Sequence, residues 1–122
     1  MATIDGDTCM KKYKLIVLSN AANELHDEFN RWYKGQHLSD VLGVPGFVGA
    51  QRFDAVLDVE PQTPYRYLAI YDIETDDLGA TMQSLRDHSF TAAMPISPAI
   101  DLDNIFVVPF EESTEHMLAS ST

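Results

Sequence analysis

Cysteine is almost absent from this sequence, Cys9 being the only one in 122 residues. One thiol cannot build a disulfide framework or a thiolate metal site within a chain, and a reducing compartment is the simpler expectation. Basic residues are also scarce, with 8 Lys+Arg against 19 Asp+Glu and a formal net charge of -11. That field repels phosphate backbones and anionic lipid surfaces, so neither nucleic acid nor membrane is an expected partner. No apolar run approaches the length needed to span a bilayer. The first residues, Met1 to Thr8, carry acids where a secretory signal would carry a basic stretch and an apolar run, which points to a cytoplasmic protein.

What remains is ordinary for a globular domain, with 45% hydrophobic and 22% charged residues. The pattern divides into a flexible N-terminal arm over 1–11, one domain over 12–110 and a polar tail over 111–122. Leu15, Ile16, Val17 and Leu18 form a short run that is apolar on both faces, which predicts a central strand. Asn20 or Asn23 is placed to cap a helix whose acids Glu24, Asp27 and Glu28 suit the positive end of its dipole. Leu25, Phe29, Trp32 and Tyr33 are the buried stripe, and Gly35 is the expected stop. Pro45-Gly46 opens a second strand to Asp54, and Tyr65 to Ile73 alternates as a third. Thr75 is the expected cap of a second helix with Leu78, Met82 and Leu85 inward. Residues 90–104, with Pro95 and Pro98, read as a connector, and Ile105 to Phe110 as the last strand.

This βαββαβ order is that of the ferredoxin-like α+β sandwich, in which both helices cover one face of a four-stranded antiparallel sheet. Large apolar residues on both faces of several strands then require a cover for the other face, most simply a second copy of the chain. The stretch Trp32-Tyr33 followed by His37-Leu38, Asp40 and Val44-Pro45-Gly46-Phe47 resembles the EthD-like family of the dimeric α/β-barrel superfamily, over roughly Tyr13 to Phe110. Ser39 stands where many members have proline. The resemblance implies a homodimer whose sheets close a barrel between protomers, with a small-molecule cavity in each subunit. Its relatives include polyketide cyclases and dehydratases, muconolactone-type isomerases and cofactor-free monooxygenases.

His37 is the leading candidate for acid/base chemistry, because an imidazole titrates near neutrality and one neighbour tunes it. Asp40 can accept its second N–H; alternatively His37 caps a helix C-terminus. Tyr33, one turn earlier, either donates to a substrate oxygen or is a core aromatic. His88 is the second acid/base candidate, or a solvated helix end. Trp32, Arg52, Tyr67 and Tyr71 are the substrate-contact candidates. Cross-strand packing is the alternative for the tyrosines, and a pairing with Asp54 or Asp72 the alternative for Arg52. Arg66 reads as an exposed sheet edge. No tight His/Asp spacing marks a metal site, and no phosphate loop or dinucleotide fingerprint is present, so neither metal nor cofactor is expected. The expected function is a cofactor-independent enzyme that moves a proton next to a carbonyl of a small apolar or aromatic substrate, as a cyclase, dehydratase, isomerase or lyase. A cofactor-free monooxygenase and a non-catalytic ligand carrier are the alternatives.

Overall fold

The structure, a computed structural model, describes residues 10–59 and 63–120. The proposed arm over 1–11 falls outside them except for Met10 and Lys11. Four strands, β1 (Lys11–Ser19), β2 (Phe47–Asp54), β3 (Tyr67–Thr75) and β4 (Phe106–Glu111), form one antiparallel sheet in the order β2-β3-β1-β4. The run that is apolar on both faces, β1, lies inside the sheet, as its composition requires. Two helical segments pack on one face, giving the ferredoxin-like α+β sandwich.

The register sorts the strand residues. Leu15 and Val17 of β1 face the helices beside Tyr71 and Ala69 of β3, while Ile16 and Leu18 face away beside Ile70 and Leu68. The helix-side set, joined by Phe29, Tyr33, Val41 and Ile73, is the core. Each large apolar side chain buried there contributes on the order of 1.5–3 kcal/mol.

Strand β2 departs from simple alternation. A bulge between Phe47 and Gly49 shifts its pairing with β3, so Phe47, Ala50 and Arg52 all end on the helix side. A strict period of two would have put Phe47 and Arg52 on opposite faces. A Cβ at Gly49 would meet the Asp72 carboxylate opposite it, which would have to swing aside.

The first helix, α1, does not stop at Gly35. It runs through His26–Trp32, a π-helical turn at Tyr33–His37, and Leu38–Leu42, closing at Gly43. Neither Asn20 nor Asn23 caps it. Asn23 and Glu24 take left-handed backbone angles in a short 3₁₀ turn (Ala22–Glu24), and the helix begins without a side-chain cap. The second helix, α2 (Leu78–His88), is capped by Asp77, whose Oδ1 accepts from the Ala80 N–H at 3.0 Å; Thr75 instead accepts from the Asp77 N–H.

The stretch 90–104 is more than a connector. It has no regular element, yet Met94, Ala99 and Ile100 are buried and a hydrogen bond from the Ala22 N–H to the Ala99 carbonyl fixes it to the loop after β1.

Candidate active site

The two helices do not close fully over the sheet. Between them lies a cavity of about 390 Å³, floored by Leu15, Val17, Tyr71 and Val107 and walled by α1, α2 and the 90–104 segment. That is within the range of small-molecule sites. Its lining is overwhelmingly apolar; the groups able to donate or accept protons are few, chiefly His37, Tyr33, Tyr71 and Trp32 deep within it and Arg86 and Ser89 nearer α2.

The π turn places His37. The Leu38 N–H bonds to the Tyr33 carbonyl, five residues back. In a regular α-helix residues five apart point about 140° away from one another. The wider turn brings Trp32 and His37 together instead, with their rings stacked at 4.4 Å and 24°. Tyr33 meets the same imidazole edge-on at 4.9 Å. Such turns recur where a helix must re-aim a functional side chain. His37 is therefore inside a continuing helix and does not cap its end.

The His37 Nδ1 is buried and has no hydrogen-bond partner. Burial pushes the imidazole down to about 4, because the cation loses its hydration, and the Asp40 charge opposes this only in part. The ring is thus neutral at pH 7, with nitrogen lone-pair capacity to spare. Asp40 does not hold it by a hydrogen bond through Nδ1. It acts through charge, and its own Oδ2 is buried without a partner.

Tyr33 and Tyr71 form a buried hydroxyl pair. Tyr71 donates to the Tyr33 oxygen at 3.2 Å, so the Tyr33 hydroxyl proton is not used in that bond, and both residues line the cavity. Burial pushes both phenols up, and neighbouring Arg52 pulls each back only partly, so both remain proton donors at any physiological pH.

Other sequence candidates lie elsewhere. Arg52 is not on the cavity wall; its guanidinium sits 4.6 Å from the Tyr33 ring centre and 5.5 Å from those of Phe29 and Tyr67, and donates to Asn30 Oδ1 at 2.9 Å. It pairs with neither Asp54 nor Asp72; the latter carries Lys14. Tyr67 is buried away from the cavity, its hydroxyl 2.7 Å from His26 Nδ1. His88 is tied to its own helix, Nδ1 lying 2.7 Å from the Ser84 carbonyl. Trp32 does line the cavity, and its Nε1–H donates to the Pro95 carbonyl at 3.2 Å.

Sequence reasoning missed Arg86 and the apolar residues of the 90–104 segment. Arg86 had a signal: Met82, Leu85, Arg86 and Ser89 follow the i, i+3, i+4, i+7 spacing of one helical face. Met94, Ile96, Ile100 and Leu102 had none, being aperiodic and broken by Pro95 and Pro98. Among the described residues no group of three or more His, Cys, Asp or Glu side chains gathers as a metal centre.

No protein-family model matches the chain, and no curated protein matches it. Solved structures do. The crystal structure of a point mutant of MhuD with two manganese protoporphyrin IX bound per active site aligns with a TM-score of 0.57 and 17% identity, over 86% of this chain and 98% of that one. An ethyl tert-butyl ether D (EthD) family protein from Bacillus halodurans aligns with a TM-score of 0.50 and 17% identity, over 83% and 98%. At that identity the likeness is one of fold: this chain has the ferredoxin-like α+β fold, with a four-stranded antiparallel sheet, of those two structures.

Proposed function

We propose that the protein is a cofactor-independent enzyme that transfers a proton at carbon next to a carbonyl of a small aromatic or polyketide-like substrate, in a cyclisation, dehydration, isomerisation or lyase step. One observation carries this: an imidazole with a buried, unpartnered nitrogen and the hydrogen-bonded Tyr33–Tyr71 hydroxyl pair line one apolar cavity. His37 accepts the proton from carbon. Tyr33, polarised by the hydroxyl of Tyr71, donates to the carbonyl oxygen as negative charge develops there. A free imidazole pushed down to about 4 is a weak base. An enolate formed beside it stabilises the imidazolium, so the transfer becomes easier as the reaction proceeds. Asp40 adds to that stabilisation through charge.

The second part of the proposal is the assembly. The face of the sheet away from the helices carries Ile16, Leu18, Leu68, Ile70, Phe106 and Val108, with Lys14 and Asp72 paired at its edge. We infer that a second copy of the chain covers it, since one copy leaves an apolar sheet face in water.

The test is solvent deuterium exchange into the carbon acid of a panel of aromatic β-keto compounds, followed by NMR. The expected result is exchange with the native protein that is lost in His37→Gln. Exchange at an equal rate in both proteins would refute the assignment. Oxygen consumption with phenolic substrates, absent from this reading, would instead support monooxygenase chemistry.

A further inference from the structure

Among the described residues, Arg86 is the one permanently charged side chain that lines the cavity holding His37. It lies on the inward stripe of α2 and lines the cavity, yet the residue as a whole is exposed, so its charge keeps contact with water. Its Nη2 donates to Gln83 Oε1 at 2.9 Å, and Gln83 Nε2 donates in turn to Asp87 Oδ1 at 2.8 Å. The Lys and Arg ion pairs among the described residues are Lys11–Glu111 and Lys14–Asp72. No carboxylate therefore neutralises Arg86 there, in a chain where acids outnumber bases 19 to 8. Beside it Phe90 also lines the cavity, 68% exposed and held at a left-handed φ of 67° by the hydrogen bond from its N–H to the Met94 carbonyl. A bulky aromatic seldom adopts that angle, and such backbone is kept where surrounding structure over-determines it.

We infer that Arg86 is the specificity-determining residue of this site and that the substrate is an amphiphilic acid, its apolar body in the cavity against Phe90 and its oxyanion on the Arg86 guanidinium. The planar fork of arginine matches the two oxygens of a carboxylate, and Gln83 holds the fork in place. This inference rests on the cavity being the substrate site.

The experiment is a fluorescence titration of the full chain with two probes that differ by one charge, 8-anilinonaphthalene-1-sulfonate and neutral N-phenyl-1-naphthylamine. The native protein should bind the sulfonate more tightly. Arg86→Gln should weaken the sulfonate by about fivefold or more and leave the neutral probe within about twofold, with Arg86→Lys between. Val107→Trp, which fills the cavity from the outer strand, should abolish both. An unchanged sulfonate affinity in Arg86→Gln overturns the role of Arg86 while leaving the cavity intact, and so does an equal loss of both probes. Failure of either probe to bind the native protein, or binding that survives Val107→Trp, overturns the cavity as a substrate site and this inference with it.

Discussion

His37 carries the most at the scale of single residues, and its burial makes two measurable claims. Folded, the imidazole is pushed down to about 4; unfolded, it titrates near 6.5. Between those values the unfolded chain binds the proton more readily, so stability falls as pH drops from about 6.5 to about 4 and is level above that window. A shift of that size corresponds to on the order of 3 kcal/mol. In denaturant titrations at pH 7 and pH 4.5, His37→Gln should lose less stability on acidification than the native protein does. Activity should follow the same group: kcat/KM is expected to stay flat from pH 8 to about pH 5 and fall as the pH approaches 4. A fall beginning at pH 6.5 would mean that the ring is ordinarily hydrated.

The hydroxyl pair yields a contrast. Tyr33→Phe removes the Tyr33 hydroxyl proton and leaves the Tyr71 hydroxyl without its acceptor, which should cost about 1–3 kcal/mol of stability and lower deuterium exchange at least tenfold. His88→Gln should leave exchange within about twofold, because that imidazole is bound to its own helix backbone. Comparing the two variants separates the cavity from the helix end.

At the scale of elements, the π turn and the bulge of β2 decide which side chains meet. Each inserts an extra residue into a regular repeat and so re-aims the residues after it: His37 onto Trp32 in the helix, Arg52 under the tyrosines in the strand. Neither is visible as a break in the pattern. Gly35, taken from the sequence as a helix stop, sits within the π turn with open space around it, and tertiary packing of Phe29, Tyr33 and Val41 carries the helix past it. Gly46 is the opposite case. It turns at φ 96°, its carbonyl accepts from the Glu74 N–H at 2.9 Å, and a Cβ would meet Thr81 Cγ2 at 3.1 Å. Gly46→Ala should therefore lower stability by about 1–2 kcal/mol in a urea titration, whereas Gly35→Ala should raise it by up to about 1 kcal/mol.

For the whole molecule the open question of surface is the bare sheet face. Sedimentation equilibrium should give twice the 13.6 kDa mass of the chain. Ile70→Glu, which puts a charge in the middle of that face, should return the single-chain mass with the helix-side core intact by circular dichroism. A native protein that sediments as one chain would remove the paired-sheet proposal and leave the cavity untouched, since the cavity lies on the helix side of the sheet. Among the described residues no helix is long and apolar enough to cross a membrane.

Order and type of elements were legible because they depend on local periodicity: apolar residues on both faces of β1, alternation in β3, a stripe from Phe29 to Tyr33. The position of His37 near Tyr33 followed from their spacing in the chain. Three things were decided only in three dimensions. The wall made by Met94, Ile96 and Ile100 comes from a stretch without a repeat, held by contacts far away in the chain. The faces of Phe47 and Arg52 depend on a bulge that only strand pairing creates. The acid/base character of His37 comes from desolvation, and how much water a ring keeps is set by what packs around it.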